Sequence, residues 1–165
     1  MNWIQRLVFH AGDKQAGSTY GSPIFTGVNM PNLTNCDYVK VRVLEAQIGC
    51  EIASGGDESH IELSIVGKRP LNQSVATGQG TKRTGGELAH IPFQLKEQSQ
   101  AGFYFTTNRD QEHDYLVFPV QEFQDTTIQF LMTDGGDVGE IEEPSASSFA
   151  DYVIVLGIEP IPRQQ

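Results

Sequence analysis

The sequence predicts an all-β fold, an antiparallel sandwich of two sheets. Short runs alternate apolar and polar side chains, and loops rich in Gly, Asn, Asp and Ser separate them. Such alternation buries one face of a strand and leaves the other in water, as in antiparallel sheets. No convincing helical pattern lies between the runs. The chain has 165 residues, so we expect one domain over residues 1–165.

The N-terminal runs predict two short strands. Residues 4–10 form the first strand, and a segment rich in glycine and serine follows at residues 11–22. Residues 23–28 form the second strand, which Pro23 opens. Because proline suits only an edge or the start of a strand, we expect this run at such a position.

A third predicted strand begins at residue 38. Its two faces carry alternating valines and basic residues, namely Val39, Val41 and Val43 against Lys40 and Arg42. The apolar pair Val43 and Leu44 then breaks the alternation. We predict a β-bulge at this pair, because one extra residue would return Ala46 and Ile48 to the same core.

The remaining runs complete a set of nine candidate strands. In residues 60–66 the inner face consists of Ile61, Leu63 and Ile65. Further runs lie at residues 87–95, 103–106, 115–120, 126–132 and 151–158. Nine strands fit a sandwich with about four strands in each sheet and one short extra strand, which we place at the N-terminus.

Aromatic residues mark the run at residues 103–106. Phe103, Tyr104 and Phe105 are consecutive, so aromatic side chains occupy both faces of this strand. The pattern indicates either a strand central to two packed layers or part of an interface.

Two segments are predicted to be irregular. Residues 68–86 hold four glycines and almost no apolar side chains. So long a loop in one domain indicates flexibility or a role in contacts. The short tail at residues 159–165 contains Pro160 and Pro162, and we do not expect a strand to continue beyond them.

The charge of the chain argues against nucleic-acid binding. The formal net charge is −10, from 11 Lys and Arg against 21 Asp and Glu. A surface of this sign repels phosphate backbones, and the sequence has no basic stripe. We therefore expect no direct contact with DNA or RNA.

The cysteines and the N-terminal residues bear on the compartment. Cys36 and Cys50 flank the third strand. At about 3.3 Å per residue they lie too far apart for a disulfide unless the chain reverses between them, so we expect two reduced, partly buried thiols. We expect no signal peptide and no membrane span, because no apolar stretch has the required length.

Catalytic patterns are absent from the sequence. His10, His60, His90 and His113 occur singly, without the paired spacing that a metal-dependent β-sandwich enzyme needs. Neither cysteine has the context of a nucleophile, and the Gly-x-Ser-x-Gly motif does not occur. We expect no enzymatic activity and no cofactor.

The acidic loop at residues 134–143 is the one weak candidate for a metal site. Asp134, Asp137 and Glu140 offer the oxygen ligands that hard cations prefer. The spacing is not that of an EF-hand. The alternative is a solvated loop whose charge keeps an apolar sheet edge from sticking to its neighbours.

Several segments, read in order, resemble one group of proteins. They are residues 6–18 (RLVFHAGDKQAGS), 23–26 (PIFT), 38–48, 126–136 (TTIQFLMTDGG) and the closing strand that ends at residues 158–160. This order resembles that of the single jelly-roll minor capsid and penton proteins of large double-stranded DNA viruses and their relatives. The resemblance covers most of the chain in outline, although residues 68–86 match no part of the pattern.

The resemblance implies a structural role in a virus particle. The fold would be a single jelly roll, and the protein would be a minor or fivefold-vertex component of an icosahedral shell. Its partners would be further copies of itself and other capsid proteins, including the major capsid protein. It would be made in the host cytoplasm or nucleus and reside in the virion.

Two other functions remain open from the sequence. One is a glycan- or receptor-binding module, lectin-like or at a fibre tip, although the single tryptophan, Trp3, lies far from the predicted loops. The other is a metal-dependent β-sandwich enzyme, which the scattered histidines disfavour.

Overall fold

The chain folds into nine strands and two short 3₁₀ turns over the residues described by the computed structural model. These residues are 4–51, 60–73, 87–92, 101–107, 115–134, 140–145 and 150–164. The strands are β1 (Gln5–His10), β2 (Ile24–Phe25), β3 (Cys36–Glu51), β4 (His60–Ile65), β5 (Glu87–Pro92), β6 (Ala101–Thr107), β7 (Leu116–Pro119), β8 (Ile128–Asp134) and β9 (Tyr152–Pro162). The 3₁₀ turns are Ala11–Asp13 and Val120–Phe123. No helix in this part of the chain is long and apolar enough to span a membrane.

The strands form two antiparallel sheets. The first sheet has the order β1-β9-β3-β6, and β7 also pairs with β3, along residues 38–41. The second sheet has the order β2-β8-β4-β5. All strand pairings are antiparallel. The predicted all-β antiparallel sandwich is therefore confirmed.

The core lies between the two sheets. Phe9 of the first sheet meets Phe25 and Phe130 of the second edge-to-face, with ring centroids 4.9 and 5.0 Å apart. The predicted inner residues of β4 are buried, as are the valines of β3 (Ile61, Leu63, Ile65, Val39, Val41 and Val43). Alternation in the sequence thus identified the inner face of these strands correctly.

The bulge predicted at Val43 and Leu44 is confirmed. The register of β3 against β9 shifts between Val43 and Glu45. Beyond the shift, Ala46 and Ile48 return to the core and have no exposed surface. The extra residue therefore lets one long strand contribute its apolar side chains to the same core over its whole length.

The closing strand includes much of the predicted tail. β9 runs through Pro160 and ends at Pro162, pairing with β3 throughout. The Arg163 N–H donates to the Asn35 carbonyl at 2.8 Å, so odd-numbered residues here direct their N–H groups toward β3. The two prolines consequently face the other side, where the pairing with β1 extends to Ile158 among the described residues. Proline is tolerated there because no ladder hydrogen bond is lost.

The start of the predicted loop at residues 68–86 is hydrogen-bonded to β7 and to the residue that precedes it. The Leu71 N–H donates to the Val117 carbonyl at 2.7 Å. The Asn72 side chain accepts from the Val117 N–H at 2.8 Å and donates to the Tyr115 carbonyl at 2.9 Å. Residues 74–86 lie outside the described residues, so the rest of this prediction stays a prediction.

The two cysteines lie near opposite ends of β3. Neither Cys36 nor Cys50 forms a disulfide, and both are buried. The expectation of two reduced thiols is confirmed, although both are buried and not partly buried.

Candidate functional site

The structure describes only part of the acidic loop. Asp134 ends β8, Asp137 lies outside the described residues, and Glu140 is exposed. Glu140 forms an isolated bridge with Thr133, and its carboxylate accepts a hydrogen bond from the Thr19 hydroxyl. Among the described residues no group of three or more His, Cys, Asp or Glu side chains is placed to hold a metal ion. The metal site at Asp134, Asp137 and Glu140 therefore stays a prediction.

The histidines lie on separate elements. His10 ends β1 and is exposed, His60 begins β4, and His90 lies within β5. His113 falls outside the described residues. The side chains of Phe103 and Phe105 in β6 also lie outside the described part, so the two alternatives for that aromatic run remain open.

A buried acidic residue in β4 was not predicted. Glu62 alternates with inward-facing Ile61 and Leu63, so the sequence places it on the wet face, yet it is 3% exposed. Its cross-strand neighbours are His90 in β5 and Thr133 in β8, and Thr133 is also buried. Alternation alone carries no signal for this burial, because it does not reveal which residues cover the outer face of a sheet.

Two tyrosines close one end of the sandwich. The rings of Tyr20 and Tyr152 meet edge-to-face at 5.2 Å. The Tyr20 hydroxyl lies 2.6 Å from the Gly49 carbonyl and 3.0 Å from the Asp151 carbonyl, and so links β3 to the start of β9. Burial raises the pKa of both tyrosines above the ordinary value, and the nearby Asp151 and Glu143 carboxylates add to this rise.

The segment at residues 140–145 packs closely against this end. The Met132 N–H donates to the Gly21 carbonyl at 2.7 Å, and the Ile141 N–H donates to the Met132 carbonyl at 3.0 Å. Ile141 is buried in the core, whereas its neighbours are exposed. We call the exposed carboxylates that result the acidic end, which consists of Glu140, Glu142, Glu143 and Asp151.

The outer face of the first sheet has a different character. Three large apolar side chains are exposed there, namely Ile4 at 39%, Val8 at 48% and Tyr38 at 43%. Arg6 of β1 and Arg42 of β3 are the two cross-strand neighbours of Gly157 in β9. Lys40 lies over the ring of Tyr115, 4.7 Å from its centroid. Glu159 is the cross-strand neighbour of Lys40, so this surface, called the outer face below, carries apolar, basic and acidic side chains.

A glycine at position 157 allows side chains to meet across the outer face. A Cβ at Gly157 would lie 3.1 Å from Ile4 Cγ2 and 3.2 Å from Leu44 Cδ2. Leu44 is the bulge residue, so the bulge directs an apolar side chain outward at this point. The alternation in the sequence already placed Lys40 and Arg42 on one face of β3. That Arg6 lies on the same face of the sheet follows only from the register of β1 and β3 against β9.

The candidate residues that the structure describes lie at separate places on the fold. Its polar groups are spread over a sheet face and a loop end, and the described titratable residues do not converge on a pairing of nucleophile and base. No family model matches the chain, and no curated protein matches it.

Proposed function

We propose that this protein is a structural component of a virion, a single jelly-roll minor capsid or vertex protein. It assembles an icosahedral shell through contacts of its loops, strand edges and terminal segments, and it has no catalytic activity. Its partners are further copies of the chain and other capsid proteins, including the major capsid protein.

The pattern of strand pairing is the observation that carries the proposal. A jelly roll pairs the first strand with the last, the second with the one before it, and so on inward. The observed pairs β1-β9, β2-β8, β3-β6 and β4-β5 fit this order, with β9 also beside β3 and β8 beside β4. On this assignment the extra strand is β7, between the sixth and seventh strands of the roll, and not an N-terminal strand.

The surface of the fold supports a role in assembly. Exposed apolar side chains beside charged ones are typical of surfaces that contact other proteins. The outer face combines both kinds on regular strands, which hold them in fixed positions. A rigid sandwich with such a surface is suited to repeated contacts between identical subunits.

The test is the behaviour of the purified protein alone and with a larger capsid protein from the same virus. Light scattering and electron microscopy should reveal rings, or joint shells with the larger protein. A stable monomer that stays outside shells and binds immobilised glycans would contradict the proposal and favour a glycan-binding module.

A further inference from the structure

We propose that Leu71 and Asn72 close the outer edge of β7 and so prevent this strand from pairing with β7 of a second copy of the chain. These two residues are called the edge cap below. Any assembly of the native chain then uses other surfaces.

The backbone groups of Val117 identify the edge of β7 that the cap covers. Val117 is the neighbour of Lys40 in the pairing of β7 with β3, yet its N–H and its carbonyl both bond to the edge cap. In an antiparallel pair, residues whose backbone groups bond to the partner strand alternate with residues whose groups point away. Val117 therefore directs its hydrogen-bonding groups away from β3, to the edge where a further strand could add.

The edge cap takes the hydrogen bonds that a further strand would make. The Leu71 N–H lies 2.7 Å from the Val117 carbonyl. The Asn72 side chain accepts from the Val117 N–H at 2.8 Å and donates to the Tyr115 carbonyl at 2.9 Å. A carboxamide has an acceptor and a donor, as a peptide unit does, so one side chain here replaces part of a strand. Pro119, two residues after Val117, has no N–H to offer on this edge.

Contacts with both sheets position the segment that carries the cap. The Val66 N–H donates to a carbonyl of β8 at 2.8 Å. The Lys68 ammonium donates to the Glu122 carbonyl and lies 4.7 Å from the centroid of the Phe123 ring, in the turn that follows β7. The Leu71 side chain, by contrast, is 60% exposed and adds little burial. The hydrogen bonds of Asn72 are therefore the part of the cap that a single substitution removes.

A second copy would present the same groups in the orientation that antiparallel pairing needs. When the Val117 residues of two copies lie opposite each other across a twofold axis, each N–H meets the carbonyl of the other. This contact is isologous and needs no second kind of surface. An uncovered strand edge pairs readily with another strand, and proteins commonly cover such edges with loops. The cap prevents the contact because the groups that it needs are already bonded.

Asn72→Ala tests the edge cap. In dilute solution the Val117 amide should exchange with solvent at least about tenfold faster than in the native chain, because it loses its acceptor. Hydrogen-exchange mass spectrometry measures this rate. At high concentration the variant should associate more strongly than the native chain in analytical ultracentrifugation, in salt that screens the net charge of −10. A contact that only supported the fold would lower the melting temperature without promoting association.

A double variant, Asn72→Ala with Val117→Pro, separates strand addition from other kinds of association. Proline removes the N–H at the outer edge but no hydrogen bond to β3, so β7 should still form. The double variant should associate no more than the native chain does.

Asn32→Ala is the matched control. The Asn32 side chain also accepts a backbone N–H, that of Thr34 at 2.9 Å, but within its own loop. Its loss should change neither the exchange of Val117 nor association. If Asn72→Ala does not fold, Asn72→Asp replaces it. Its carboxylate still accepts from Val117 but cannot donate to Tyr115, so the same two changes are expected in the same direction.

Three results would overturn the inference. The first is exchange of the Val117 amide in Asn72→Ala that is as slow as in the native chain. The second is no increase in association although this amide is exposed. The third is association that persists in the double variant, which would place the contact elsewhere. Failure of the proposed function is distinguishable, because it would be seen in the native chain, with the cap in place.

Discussion

At the scale of single residues, Tyr20 and Tyr152 can be compared directly, because both are buried and their rings are in contact. Both are buried, but only the Tyr20 hydroxyl has hydrogen-bond partners, while the Tyr152 hydroxyl has none among the described residues. We expect Tyr20→Phe to lower the free energy of unfolding by about 1–2 kcal/mol. Tyr152→Phe should be neutral or stabilising, because it removes a buried polar atom without a partner. Urea unfolding measures both, and equal losses would contradict this assignment.

The same tyrosines predict the response of the fold to alkaline pH. Their pKa values lie above the ordinary value of 10.0 in the folded chain, so the unfolded chain loses these protons first. Stability is then fully present below pH 10 and falls as pH rises above it, by about 1.4 kcal/mol per pH unit for each tyrosine. Tyr20→Phe should reduce this slope. Unfolding curves with no change in stability across this range would contradict the account.

Gly21 is a position where the fold has no room for a side chain. A Cβ there would collide with the Ile141 carbonyl and Glu140 Cγ, whereas at Gly12 it would meet nothing within 4 Å. We expect Gly21→Ala to destabilise the fold by about 1–3 kcal/mol, because the backbone at residues 140–141 must move. Gly12→Ala is the control, with little expected change. Thermal melts compare the two variants, and equal melting temperatures would contradict close packing at Gly21.

At the scale of elements, the bulge in β3 makes two deletions unequal. Deleting Leu44 removes the extra residue but leaves Val43 and Ala46 on the inner face, so the fold should survive with reduced stability. Deleting Lys40 shifts a regular part of the strand by one residue. The residues on one side of the deletion then change face, so valines that are now buried would point into water. Circular dichroism and melting of the two variants test this. Loss of the fold in both would mean that the bulge itself is essential.

Some features of the strands could be predicted from the sequence, and others could not. Alternation identified β3, its bulge and the inner face of β4, because these depend on local spacing. It did not predict that β9 would include Pro160 and Pro162, because whether a proline fits in a strand depends on which side of the strand its missing N–H would face.

The surfaces were less predictable than the strands. The row of Arg6 and Arg42 across Gly157 depends on which strands become neighbours. The burial of Glu62 depends on what covers the outer side of β4. Alternation assigns a residue to a face but carries no information about the other strands on that face.

At the scale of the whole molecule, we propose that the chain is a subunit that functions through contacts with other proteins. The two sheets form the body of the molecule, and the order of their strands supports a jelly roll. The net charge of −10 makes copies of the chain repel one another at long range. If the proposed assembly occurs, we expect its strength to depend on salt concentration.

The most direct test of the central claim is a cryo-electron-microscopy map of the virus particle to which the chain would belong. We expect density for this two-sheet sandwich in the shell, at a fivefold vertex or between the larger capsomers. A complete shell in which this chain has no place would contradict it.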